Sequence, residues 1–140
     1  MKGINILLVE DNEGDILLTT EAFEESKIVN RITAIRDGKA AINFFEAITN
    51  KEDVPHLVLL DINLPKVNGH EVLMYIKNNN RYKSIPVIML TTSSSEKDIL
   101  LCYKNYVNCY ITKPIDVADF MKAIIKIEDF WINIVSIPAK

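Results

Sequence analysis

Glycine, proline and cysteine are scarce in this sequence, and long apolar runs are missing. Its 140 residues include 4 glycines, 5 prolines and 2 cysteines. So few chain breakers beside 49% hydrophobic residues suit one compact domain with a sizeable core, and no repeat, linker or low-complexity segment interrupts it. No apolar run approaches the roughly 18 residues that a membrane-spanning helix needs. The N-terminal stretch MKGINILLVEDN carries only a short apolar run, which stops at Glu10 and Asp11 without a small-residue cleavage site, so it does not read as a signal peptide. These absences predict a cytoplasmic protein. Sixteen basic against nineteen acidic residues leave a net charge of −3, without the basic excess that nucleic-acid binding usually leaves. Cys102 and Cys109 have neither a neighbouring His nor a second pair, which excludes the usual metal spacings and leaves two small apolar residues in a reducing compartment. His56 and His70 stand beside no candidate nucleophile and are expected to face solvent or to be incidental.

What is present is alternation. Short apolar runs rich in β-branched residues recur at residues 4–9, 31–36, 57–60, 86–90 and 108–112. Between them the apolar residues take helical spacing, with a long fifth segment running from Val117 through Phe120, Ile124, Ile127 and Trp131. Punctuation agrees: Asp37-Gly38 predicts a turn, Asn68-Gly69 opens a helix, and Ser93 with Glu96 has capping-box spacing. Five strands alternating with five helices predict an α/β fold, a doubly wound parallel sheet with helices on both faces. The runs at 4, 57 and 86 are uniformly apolar, as strands buried on both faces must be, whereas RITAIR and NCYIT mix polar and apolar residues as edges can. Strands two and five therefore belong at the edges, which predicts the flavodoxin-like order 2-1-3-4-5.

In such a sheet ligands bind outside the carboxyl ends of the strands, near the point where strand order reverses. Those ends carry Glu10 and Asp11, Asp61, Thr91 and Thr92, and Lys113. Each residue has a structural reading alone: Asp11 or Asn12 can cap a helix, Thr91 can end a strand, and Lys113 can sit in solvent. Their convergence on one rim gives the functional reading its weight. Carboxylates a few ångströms apart repel by roughly 1–4 kcal/mol per pair, more than one lysine offsets. A hard divalent cation, Mg²⁺ before a transition metal, suits oxygen-only donors with room for water and phosphate. Asp61 then becomes a candidate nucleophile toward phosphorus, with Thr91 donating a hydrogen bond and Lys113 neutralising a phosphoryl oxygen.

The segments LLVEDN, LLDINLP, IMLTTS and YITKP resemble the four signature segments of the response-regulator receiver domain, over residues 4 to about 127. That resemblance implies a two-component phosphorelay switch and a phosphoprotein, not an enzyme with turnover: Asp61 accepts a phosphoryl group from a phosphohistidine of a sensor histidine kinase. It implies direct Mg²⁺ coordination by Asp11 and Asp61, Glu10 acting through water and the Asn63 main-chain carbonyl as a further ligand. Thr91 and Tyr110 would be the switch pair, acting on the surface of the fourth helix, fifth strand and fifth helix. The family further implies a cis Lys113-Pro114 bond. The segments VEDNEGDILLT, NCYITKP and IEDFWINIVSIPAK are similar to single-domain regulators paired with phytochrome-type kinases. Before strand five, Tyr106-Val107 stands where the family frequently has Gly-Ala.

The 140 residues are thus expected to form one receiver domain with an extended C-terminal helix and tail from about 128 to 140. Helical spacing through Ile134 and Val135 makes about 19 residues, roughly 28 Å, more than this sheet needs for cover. Phe130, Trp131, Ile134 and Val135 are therefore candidate contacts of a homodimer, with fold-back on the domain as the alternative. The downstream protein is not written in the sequence. A haloacid-dehalogenase-type phosphatase would resemble Asp-x-Asp at the nucleophile, but the second acid is here Asn63. An FMN site would need a phosphate loop where Glu10, Asp11, Glu13 and Asp15 would repel the phosphate.

Overall fold

A computed structural model describes residues 3–24, 29–114 and 116–134. Five parallel strands form one sheet in the order β2-β1-β3-β4-β5. They are β1 Ile4–Val9, β2 Val29–Ile35, β3 Leu57–Leu60, β4 Val87–Thr91 and β5 Cys109–Thr112, and they alternate with α1 Glu13–Glu24, α2 Gly38–Glu46, α3 Gly69–Lys77, α4 Glu96–Lys104 and α5 Val117–Ile127. Order, edges and helix count follow the sequence expectation.

Side-chain alternation splits the central strands between two cores. Leu7, Val9, Val58, Leu60, Val87 and Met89 face one way, against Ala41 and Phe45 of α2, Val72, Leu73 and Ile76 of α3 and Cys102 of α4. Ile6, Leu8, Leu57, Leu59, Ile88 and Leu90 face the other, against Phe23 of α1 and Phe120, Ile124 and Ile127 of α5. Every residue of β3 is buried, which is why that strand has no polar position. The edge strand β5 is only partly buried, which is why it tolerates Thr112.

Local chemistry starts the helices. Asn12 accepts from the Asp15 amide, Asp37 from Ala40, Asn68 from Glu71 and Asp116 from Ala118 and Asp119. Helix α4 differs from expectation: its cap is Ser95, which accepts from the Asp98 amide at 3.3 Å, and Ser93 turns instead to the Asp98 side chain. Three consecutive serines made the choice invisible in the sequence. Beyond α5 the helix widens to π-type turns over Glu128–Ile134. Of the candidate dimer contacts, Phe130 is exposed while Trp131 packs against the α1/α5 core and lies edge-on to Phe130. The side chain of Ile134 and all of Val135 lie outside the described residues. No helix among the described residues is long and apolar enough to cross a membrane.

Candidate functional site

Strand register assembles the site. Val9 pairs with Leu60, so Glu10 and Asp61 leave adjacent strands at one level, and the Asp61 amide donates to the Val9 carbonyl at 3.0 Å. Thr91 pairs with Thr112 at the end of β4, and the Lys113 amide donates to the Thr91 carbonyl at 2.6 Å. Glu10, Asp61, Thr91 and Lys113 are all buried, while Asp11 and Asn63 are exposed at the mouth. The rim behind Asp61 is tight. A Cβ at Gly69 would lie 2.1 Å from the Asp61 carbonyl oxygen, so only glycine lets α3 start against this loop.

Lys113 is the hub. Its ammonium donates to Glu10, to Asp15 Oδ2 at 2.9 Å and to Asp61 Oδ2 at 3.3 Å. Burial pushes the Glu10 carboxyl up to about 7, and the Asp61 charge adds to this, against the hydrogen bond from Lys113. Burial alone would lower the Lys113 ammonium, but its bonds to Glu10 and Asp15 and the nearby Asp61 charge raise it above its ordinary value. Both groups are thus shifted upward, Glu10 chiefly by burial and Lys113 by its carboxylate partners. Three carboxylates share one ammonium, which favours the charged form of the lysine.

The donor set fits a hard cation. One carboxylate oxygen each from Glu10, Asp11 and Asp61 lie within 4.8 Å of one another. No imidazole or thiolate joins this group, and the exposed Asp11 leaves a side open to water, which suits Mg²⁺ or a similar ion.

Thr91 leads from this centre to α4. The Ser93 amide lies 3.4 Å from Thr91 Oγ1, and the Tyr110 hydroxyl donates to the Ser93 carbonyl at 2.8 Å. The Ser93 hydroxyl donates to Asp98 Oδ2 at 2.6 Å, and Asp98 Oδ1 is 2.9 Å from His70 Nε2. Those contacts, Ser93 first, hold the Asp98 carboxyl below its ordinary value.

Two expectations fail here. His70 does not face solvent; it is 9% exposed and bridges the start of α3 to α4, because Asp98 lies within reach of its ring. His56 is half-buried, and its Nδ1 accepts from the Asn5 amide at 3.0 Å. No peptide bond among the described residues is cis, so Lys113-Pro114 is trans, the isomer that X-Pro bonds favour by about 0.5–1 kcal/mol, and Lys113 reaches its carboxylates in that form. Asp15 was not among the candidate site residues. An acid in a first helical turn reads as a complement to the helix dipole, and only the spacing Glu10-x₄-Asp15 ahead of a buried lysine hints at more.

Residues 6–125 match the family model of the response regulator receiver domain. The chain belongs to that family. It is 44% identical over 136 residues to the response regulator Rcp1 of Synechocystis sp. (strain ATCC 27184 / PCC 6803 / Kazusa), covering 96% of this chain and 92% of Rcp1. It is 43% identical over 129 residues to the probable methanogenesis regulatory protein FilR2 of Methanothrix harundinacea (strain 6Ac), covering 91% and 83%. The crystal structure of the Mn²⁺-bound form of Rcp1 superposes with a TM-score of 0.91 at 43% identity, covering 97% of this chain and 99% of that one. That of the phosphorylated cyanobacterial phytochrome response regulator RcpA superposes with a TM-score of 0.92 at 39% identity, covering 98% and 99%. As a receiver domain the chain is a phosphorylation switch of two-component signalling, not a haloacid-dehalogenase-type phosphatase. Asn63 in place of a second acid agrees with that.

Proposed function

We propose that Asp61 is the phosphoacceptor of this receiver domain and that Glu10, Asp11, Asp61 and the Asn63 main-chain carbonyl hold Mg²⁺ beside it. The observation that carries the reading is the joint one: three carboxylates converge while a buried lysine touches Asp61. A carboxylate oxygen of Asp61 attacks phosphorus as the P–N bond of a kinase phosphohistidine breaks, and the leaving imidazole keeps the electron pair. Lys113 then neutralises a phosphoryl oxygen, and the buried Thr91 hydroxyl donates to another. What Mg²⁺ supplies when bound is charge, offsetting the carboxylates and screening an anionic donor.

A phosphoryl group adds about −1.5 to −2 of charge at Asp61. Drawing Thr91 toward it pulls on Ser93, whose carbonyl holds Tyr110 and whose hydroxyl holds Asp98 of α4. Thr91 and Tyr110 thus form the switch pair, and the readout is the surface of α4, β5 and α5. The likeness to RcpA, a phytochrome response regulator, supports a phytochrome-type histidine kinase as the donor. We read residues 1–140 as one cytoplasmic receiver domain with a C-terminal extension from about 128. The exposed Phe130 supports a homodimer contact there, with Trp131, Ile134 and Val135 as the remaining candidates.

The test is to treat the protein with acetyl phosphate, with and without Mg²⁺, and weigh it. One added phosphoryl group, dependent on Mg²⁺ and lost in Asp61→Asn, is expected. Retention of the modification in Asp61→Asn overturns the assignment.

A further inference from the structure

The carboxylate that no other role claims is Asp15. Its backbone is fixed at the first turn of α1, where its amide donates to Asn12 Oδ1 at 2.9 Å. Its side chain reaches back to Lys113 at 2.9 Å, closer than Asp61 at 3.3 Å. An ammonium has three N–H donors, and here all three meet carboxylate oxygens, of Glu10, Asp15 and Asp61. A phosphoryl oxygen arriving at Asp61 therefore finds Lys113 fully engaged, and one existing bond has to give. Glu10 is buried and also accepts from the Asn12 amide, so losing the lysine would leave its carboxylate in a poorly hydrated place. Asp15 is partly exposed and stands outside the cluster of Glu10, Asp11 and Asp61, so water can replace the lysine there.

We propose that Asp15 is a positioning residue that holds the Lys113 ammonium back from Asp61 and so weakens capture of a phosphoryl group at that site. The inference rests on Asp61 being the phosphoacceptor. Its consequence is a phosphorylated state made less favourable by a residue that touches neither the phosphoryl group nor the cation. Neutralising Asp15 frees one N–H of Lys113 without disturbing the acceptor.

The test uses the full chain in saturating Mg²⁺ and follows binding of trifluoroberyllate, a phosphoryl stand-in, by ¹⁹F NMR. Asp15→Asn should bind about two- to fivefold more tightly than wild type, a range set by a partly exposed ion pair. Asp15→Glu, which keeps the charge, should stay near wild type. In a Lys113→Gln background Asp15→Asn should bring no gain, because the effect acts through the lysine. An Asp15→Asn affinity equal to or below wild type overturns the inference, as does a gain that persists without Lys113. Wild-type protein that takes up no trifluoroberyllate would overturn the phosphoacceptor reading and the role of Asp15 with it.

Discussion

Tyr106 occupies a backbone conformation that glycine fills more cheaply. Helix α4 ends in a Schellman motif: the Tyr106 amide donates to the Tyr103 carbonyl at 3.0 Å and the Val107 amide to the Cys102 carbonyl at 3.1 Å. The motif requires a left-handed residue, and Tyr106 supplies it with φ 67°. For a residue with a Cβ that conformation costs roughly 1–2 kcal/mol. Removing the side chain sacrifices little packing, since Tyr106 is 76% exposed. Glycine returns part of the gain through the greater freedom of its unfolded chain, on the order of 0.5–1 kcal/mol. Tyr106→Gly should therefore stabilise the domain by about 1 kcal/mol, worth about 3–5 °C in melting temperature for a chain of this size. Urea unfolding should show a higher midpoint at unchanged slope. Tyr106→Ala keeps the Cβ and the strain, so the gap between the two variants isolates the backbone contribution. A midpoint for Tyr106→Gly at or below both wild type and Tyr106→Ala would refute the reasoning. A bulky residue kept in a strained position, with Leu100 and Tyr103 also exposed on α4, argues that this face is used for something other than stability.

Three further outcomes follow from particular contacts. Glu10 is raised from 4.5 to about 7, so in cation-free protein the native state binds more protons than the unfolded chain between those values. Stability should fall as pH rises through that window, by up to about 3 kcal/mol, and unfolding in chelator at pH 5 and pH 8 should show a larger drop for wild type than for Glu10→Gln; equal drops would count against the assigned burial effect. Gly69→Ala drives a Cβ to 2.1 Å from the Asp61 carbonyl oxygen and should cost about 1–3 kcal/mol while slowing acetyl phosphate labelling; wild-type stability would contradict the close approach. The Lys77 ammonium donates to the Lys83 and Ile85 carbonyls and to Asn108 Oδ1, so Lys77→Met should lower stability by about 1–3 kcal/mol in urea, and an unchanged midpoint would show that water replaces it freely.

The sheet was legible because burial leaves a mark on sequence. Strands covered on both faces must be apolar throughout, as Leu57–Leu60 are, and that property alone separated centre from edge. The convergence of polar residues at the strand ends was legible for the same reason, since a polar residue directly after such a strand has one place to go. What escaped depended on side-chain reach. Asp15 and Lys113 are 98 positions apart and His70 and Asp98 are 28 apart, and neither pair shows any periodicity to connect them. The trans Lys113-Pro114 bond and the widening of the last helix at Glu128 are likewise outside what spacing conveys. Tyr106 lies between these cases: its departure from the frequent Gly-Ala pair was visible, whereas its positive φ was not.

Charge and rigidity together keep this site from relaxing around its own repulsions. Asp61 follows a strand buried along its whole length, and its amide is tied to Val9, so the carboxylate cannot retreat. Glu10 is held equally firmly, with its amide donating to the Ile35 carbonyl at 2.9 Å. With both mounts fixed, the excess negative charge is met by a proton on Glu10, by a cation among the three carboxylates, or by the buried Lys113 ammonium that they share. Each of these is a small, reversible event. On the opposite side Thr91, Ser93 and Tyr110 are joined by single hydrogen bonds that lead toward α4. Under the proposed phosphorylation of Asp61, the added charge would meet fixed mounts at β1 and β3 and reach α4 through Thr91 and Ser93.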